Sequence, residues 1–244
     1  MVASLVPMDQ SRVAVITGGT GSVGFCLVPM LIDRGFSVAV TYLLPDEATR
    51  LEEKMELGED KLIIRRVDAS DAEAVTIFFD EVAGSFGPIN VMASLVGGWS
   101  GGRDVAETSD VRLDRMLDLN LKTAWNATRA AIPLMSEEWG RIILMGSKHS
   151  QEAPAGQAAY NMAKAGVLAL SRSVATELLD TNTTCNTLLP SVINTEATRS
   201  ALPYADYVNW PQPEDIAEVI NFLASEKSKV INGGGVPVWG SALI

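Results

Sequence analysis

The chain switches repeatedly between two hydrophobic patterns. Short apolar runs rich in β-branched residues fall at 12–17, 37–42, 61–67, 89–94, 141–145, 184–189 and 235–238. Runs of this length predict strands covered on both faces. Longer amphipathic stretches separate them, at 71–85, 110–135, 158–179 and 213–224. Asp71 is placed to cap the first of these, and Pro213 suits the first turn of the last. Strands alternating with helices predict βαβ units with right-handed crossovers. The fold class is therefore α/β, an open, doubly wound parallel sheet between two helical layers. Residues 1–244 read as one domain, with no repeat, low-complexity stretch or linker.

Composition narrows the function. Apolar residues make up 47% and charged residues 20%, enough apolar surface to offset chain entropy. No apolar run approaches the ~18 residues that a membrane span needs. Met1 to Gln10 carries no basic stretch of the kind that opens a signal peptide, so a cytoplasmic protein is expected. The formal charge is -11, which argues against nucleic acid as a partner. It leaves room for a small anionic ligand, because helix N-termini bind phosphate without side-chain charge. Two cysteines, Cys26 and Cys185, make no disulfide framework and read as small buried hydrophobes. With a single histidine, His149, neither a Cys–His nucleophile pair nor a metal site is expected. A lone loop histidine is expected to face solvent, so His149 is given no catalytic role.

Ligands of open parallel sheets bind beyond the carboxyl ends of the strands, so the chemistry is sought there. The first predicted strand ends in Thr17-Gly18-Gly19-Thr20-Gly21-Ser22-Val23-Gly24, and a helix follows. Gly18 permits a tight turn, Gly21 admits a phosphate to the backbone, and Gly24 lets helix and strand pack closely. A pyrophosphate then meets the free N–H groups of the helix start. A packing turn would also use glycines, but its place between first strand and first helix favours a dinucleotide. After the third strand, Asp68 and Ala69 are candidates to hold an adenine amino group, the alternative being a helix cap. Val96 and Gly97, after the fourth, are placed to lie against a ribose.

Tyr160-Asn161-Met162-Ala163-Lys164 opens the 158–179 helix, so Tyr160 and Lys164 share one face. A tyrosine with pKa ~10 exchanges protons poorly near neutrality. An ammonium within ~4–6 Å is expected to lower that value. Lys164 is placed to do this while holding a ribose hydroxyl, and Tyr160 to act as general acid/base. Ser147 ends the fifth strand, thirteen residues before Tyr160, and is a candidate to bind the substrate oxygen. Asn120 lies inside the 110–135 helix, where a buried amide needs a partner, for example a water leading to Lys164.

Together these residues resemble the short-chain dehydrogenase/reductase family in its single-domain form, over nearly the whole chain. The resemblance implies a Rossmann-like sheet of about seven strands, NAD(H) or NADP(H), and hydride transfer to or from a carbonyl or secondary alcohol. By that resemblance Asn120 supports a proton relay, Ser147 orients the substrate, Tyr160 exchanges the proton and Lys164 binds the nicotinamide ribose. Pro190, Ile193 and Thr195 match the segment that holds the carboxamide. The residues after Ile231 match the family's last strand, often at a tetramer interface, so a homotetramer or homodimer is expected. The chain departs from the family at Ser22 in the glycine loop, at Ser94-Leu95-Val96-Gly97, and at Ser191 after Pro190.

An acid at the end of the second strand marks NAD in this fold, and a base marks NADP. Tyr42 and Leu43 are neither, and the glycine loop holds no basic residue, so NAD(H) is favoured, with Arg50 the candidate for the opposite preference. For substrate, Gly97-Gly98-Trp99-Ser100-Gly101-Gly102 and the Tyr160 helix resemble the dihydropteridine reductase branch. There Trp99 would stack on a quinonoid pterin; otherwise it covers the pocket rim. Tyr204, Tyr207 and Trp210 fall in a predicted substrate lid at 194–212. A regulator that senses NAD(P) without turnover is the reading from outside enzymology, and the complete tetrad opposes it.

Overall fold

Residues 12–240 are described by a computed structural model. The reading of Met1 to Gln10 lies outside the described residues. Seven parallel strands form one sheet in the order β3-β2-β1-β4-β5-β6-β7. They are β1 (Arg12–Thr17), β2 (Phe36–Tyr42), β3 (Leu62–Arg66), β4 (Val91–Ser94), β5 (Gly140–Met145), β6 (Thr183–Pro190) and β7 (Gly235–Val238). The strand order reverses between β1 and β4, which opens a crevice at their carboxyl ends.

Alternation of side chains along β1 divides the core. Val13 and Val15 join a cluster on one face, and Ala14 and Ile16 a cluster on the other. The first cluster packs under α3 (Ala72–Phe86), α5 (Thr123–Ala131) and α7 (Ala158–Glu177). The second packs under α1 (Ser22–Asp33), α2 (Pro45–Met55) and α9 (Pro213–Leu223). The remaining helices are α4 (Asp110–Leu117) and the short α6 (His149–Glu152) and α8 (Glu196–Ala201). Among the described residues no helix is long and apolar enough to cross a membrane.

Local chemistry sets the boundaries. Asp71 caps α3, its carboxylate accepting from the backbone N–H groups of Glu73 and Ala74. Pro213 occupies the first turn of α9. Pro29 lies inside α1 and has no N–H for the carbonyl of Phe25. The Lys54 ammonium fills that vacancy, donating to the Phe25 oxygen at 3.2 Å and lying 4.0 Å from the centre of its ring.

The predicted helix at 110–135 is continuous but carries a π-turn. After α4, residues Asp118–Lys122 form a π-turn, then α5 runs to Ala131, and a 3₁₀ turn at Ile132–Leu134 carries Pro133. Pro133 cannot extend the helical ladder, which ends it there. The fourth strand starts at Val91 rather than Ile89, because Ile89 pairs with the segment around Met135, donating to the Leu134 carbonyl and accepting from the Ser136 N–H. Cys185 is buried as expected, whereas Cys26 is not: it is half-exposed, with its thiol against the Ser22 carbonyl and the Glu214 carboxylate. Burial and Glu214 push that thiol up to about 11, so it stays protonated.

Candidate active site

Three strand ends converge on a cavity of about 650 Å³. The glycine loop after β1 forms one wall, the Gly97–Trp99 segment after β4 another, and Ser147 after β5 a third, with Tyr160 and Lys164 from α7 at the back. Pro190, Ile193 and Thr195 close it from the β6 side.

The glycine loop is built for close approach. Gly18 sits at φ +71°, a left-handed conformation that costs glycine little. A Cβ on Gly24 would come within 2.4 Å of the Gly19 carbonyl oxygen, so helix and loop touch backbone to backbone. Gly21 caps α1 without any side-chain hydrogen bond, and the first turn holds no acidic residue. The first N–H groups of α1 are therefore available to an anion. These features fit a dinucleotide pyrophosphate.

Asn120 lies in the π-turn, 1% exposed. Its amide bonds the backbone through both its oxygen and its nitrogen. The Gly98 N–H donates to Oδ1 at 3.1 Å, and Nδ2 donates to the carbonyls of Gly98 (3.0 Å) and Met116 (3.1 Å). The amide thus pins the segment that follows β4. Gly97 fits beside it because it has no side chain. A Cβ there would meet Asn120 Oδ1 at 2.8 Å and Lys164 Nζ at 3.1 Å.

Lys164 is 3% exposed, and its ammonium donates to the Met145 carbonyl oxygen at 2.8 Å. Burial lowers it to about 8. Tyr160 moves opposite to the expectation. Burial raises the phenol above its ordinary value, and the hydrogen bond with Ser147 only partly offsets this. The Lys164 ammonium stands 6.0 Å from the centre of the Tyr160 ring, too far to outweigh desolvation here.

Three residues that the sequence does not single out, Ser150, Gln157 and Asn126, support this core together with His149. Ser150 Oγ accepts from the Ser147 N–H at 3.2 Å and donates to the Lys164 carbonyl at 3.0 Å, tying two of the site residues together. Gln157 Oε1 accepts from the indole of Trp99 at 2.6 Å and also bonds the His149 ring. His149 is not solvent-facing: it lines the cavity, packs edge-on against Tyr160 at 6.0 Å, and burial lowers its pKa. Asn126 donates from Nδ2 to the carbonyls of Ala69 and Ser70, both at 3.1 Å, bracing the loop beyond β3. Buried amides on a helix are the signal that exposes Asn126; the other three arise from folding alone.

Of the remaining predicted residues, Trp99 and Thr195 line the cavity, whereas Thr20, Tyr42, Leu43, Asp68, Ala69, Val96 and Tyr204 do not. Tyr42 and Leu43 stand at the end of β2 on the far side of the glycine loop. Thr20 is buried and donates to Glu47 Oε2 at 3.1 Å. Val96 packs behind Gly18. Asp68 is exposed and accepts from the N–H and hydroxyl of Ser70 with Oδ1, while Asp71 fills the helix-cap role. Thr195 caps α8. Trp99 sits half-exposed at the cavity rim, but Tyr204 is fully exposed and does not reach the cavity. Among the described residues no cluster of His, Cys, Asp or Glu could hold a metal ion.

The comparisons with known proteins agree with this geometry. A family model described as enoyl-(acyl carrier protein) reductase matches residues 18–240. The 3-oxoacyl-[acyl-carrier-protein] reductase MabA of Mycobacterium tuberculosis is 30% identical, covering 96% of this chain and 94% of its own. The Staphylococcus aureus reductase FabG is also 30% identical, over 96% and 98%. A solved short-chain dehydrogenase/reductase from Serratia marcescens superposes with a TM-score of 0.86 at 27% identity, over 95% of this chain and 97% of that one. A glycine-lined crevice, a buried lysine beside a tyrosine and full-length matches on every side lead to one assignment: the chain belongs to the short-chain dehydrogenase/reductase family of NAD(P)-dependent oxidoreductases.

Proposed function

We propose that Tyr160 exchanges the proton during reduction of a carbonyl, or oxidation of the matching alcohol, in the cavity beside α7. The observation that carries this is the convergence of Ser147, Tyr160 and Lys164 on one cavity that the glycine loop also lines. The nicotinamide cofactor supplies or accepts the hydride. The Ser147 hydroxyl orients the substrate oxygen toward the Tyr160 phenol. Lys164, held by Met145, presents its remaining N–H groups to the ribose. Asn120 acts by fixing the Gly97–Gly98 backbone.

The cofactor is bound by Gly18, Thr20, Gly21, Ser22 and Val23 of the loop, by Tyr42, Leu43, Asp68 and Ala69 on the adenine side, and by Val96 and Gly97. Pro190, Ile193 and Thr195 hold the carboxamide end. NAD(H) is the preferred form, because neither the loop nor the end of β2 carries a basic residue. The substrate is compact and largely apolar, since Trp99, Met145, Val192 and Leu202 share the wall with the polar trio. The relatives named as 3-oxoacyl reductases make a 3-oxoacyl thioester the first candidate. The 194–212 segment contributes Thr195, Thr198 and Leu202 to that wall and serves as the lid. An exposed groove between α5 and α7, with Leu121, Trp125, Ile132 and Leu170, is the contact face of a homo-oligomer. The protein acts in the cytoplasm, as one domain over 1–244.

The test is a panel of carbonyls, 3-oxoacyl thioesters and a quinonoid dihydropterin, followed by loss of NADH absorbance. Tyr160→Phe is expected to lower kcat by ~10²–10⁴ and to leave the NADH Kd within about two-fold. Turnover that survives in Tyr160→Phe would remove Tyr160 from the reaction. Turnover of the pterin alone would assign the narrower reductase activity, and cofactor binding with no turnover would favour a sensor.

A further inference from the structure

We infer that Glu47 reads the adenosine ribose and excludes a 2′-phosphate, making it the residue that selects NAD(H); this rests on the nicotinamide-cofactor reading above. The carboxylate that selects NAD in this fold ordinarily ends the second strand. Here β2 ends at Tyr42, and Leu43 and Leu44 follow it exposed. The acid instead comes from the first turn of α2, where Asp46 and Glu47 follow Pro45.

These two acids behave differently. Any helix start favours a carboxylate, and Asp46 meets that preference at the surface. Glu47 is half-buried and accepts from Thr20 Oγ1 at 3.1 Å. Thr20 belongs to the glycine loop and is 2% exposed. Beside this contact the Gly18 N–H donates to Thr41 Oγ1 at 3.0 Å. The glycine loop is thus stitched to the end of β2 at one point and to the first turn of α2 at the other, and the second stitch is a carboxylate.

That gap between the loop and β2 is where a dinucleotide lays its adenosine ribose. Thr20 engages Oε2 and so orients the carboxylate, leaving Oε1 to accept a ribose hydroxyl. A 2′-phosphate would bring up to two further negative charges against it. Nothing in residues 17–24 is basic to offset them. Lys54 is engaged at Phe25, and the nearest remaining cation in sequence is Arg50, exposed one turn along α2. Discrimination therefore comes from a repulsive element as well as from a hydrogen bond.

The experiment measures Kd for NADH and NADPH by calorimetry on wild type, Glu47→Gln and Arg50→Gln. Wild type is expected to bind NADH at least ten-fold more tightly than NADPH. Glu47→Gln should shrink that ratio about ten-fold, by weakening NADH and strengthening NADPH. Arg50→Gln should leave it unchanged. Thr20→Val serves as the second variant, because it keeps the carboxylate but frees it: NADH weakens while NADPH stays excluded. A wild-type preference for NADPH, or an unchanged ratio in Glu47→Gln, overturns the inference. Binding of neither dinucleotide to wild type overturns the cofactor reading itself, a result distinct from the other two.

Discussion

The Lys164 ammonium is anchored by the Met145 carbonyl 2.8 Å away, at the end of the strand that also delivers Ser147. Its position is therefore set by backbone, not by an opposing carboxylate. Burial lowers this lysine to about 8, against 10.5 for an ordinary one. Between those values the unfolded chain holds a proton that the folded chain has released, so folding stability rises with pH through that window. Lys164→Met lacks this dependence. Urea unfolding of both proteins at pH 7 and pH 10 should show wild type gaining on the variant, by on the order of 3 kcal/mol at most. A pH-independent difference would contradict the burial argument.

The Tyr160 phenol makes the opposite kind of prediction. In the cofactor-free enzyme burial holds it above its ordinary value, and Ser147 pulls it partly back. Difference absorbance between wild type and Tyr160→Phe should place its ionisation above pH 10. Ser147→Ala should move it higher still. Because the unfolded phenol ionises first, this group costs stability as pH climbs past 10. A phenolate signal near neutrality in the free enzyme would show that Lys164 dominates after all.

Asn120→Ala removes three hydrogen bonds at once. The Gly98 N–H and carbonyl lose their partners, which costs about 1–3 kcal/mol for each group left buried and unpaired. Thermal unfolding should report that loss, and NADH affinity should fall with it, because Gly97 and Gly98 lose their support. Gly97→Ala should weaken NADH in the same way, since its Cβ would press on Asn120 and Lys164. An unchanged NADH Kd in both variants would uncouple this segment from the cofactor.

Pro29 and Lys54 should be energetically coupled. Lys54→Met leaves the Phe25 carbonyl unpaired and costs about 1 kcal/mol, as a lost hydrogen bond does. In a Pro29→Ala background the helix can supply its own N–H, so the same change should cost less. A double-mutant cycle in urea reads the difference, and additive effects would deny the link.

Much of this architecture was legible because it is local or periodic. Strands buried on both faces announce themselves as unbroken apolar runs, and only their ends shifted by a residue or two. Tyr160 and Lys164 were legible because one helical turn sets their relation. What escaped notice is non-local. The Thr20–Glu47 contact spans 27 residues of chain, and Trp99 meets Gln157 across 58. No window along the sequence contains both partners. The π-turn at 118–122 is illegible for another reason: apolar spacing continues on both sides of it, so a pattern cannot register one extra residue. The upward shift of Tyr160 is not legible in the sequence, because spacing shows charge proximity and not depth of burial.

That extra residue has a geometric consequence for the whole crevice. Each residue of an α-helix advances the chain by about 100° around the axis. The π-turn therefore rotates α5 against α4 by about that much relative to an unbroken helix. Upstream of it Met116 accepts from Asn120, and downstream Asn126 reaches the Ala69–Ser70 loop. Deleting one residue of 118–122 other than Asn120 would restore a regular helix and leave every remaining side chain chemically intact. It would also swing Asn120 and Asn126 out of phase, so the two ends of the cofactor crevice share one clock, set by a one-residue insertion.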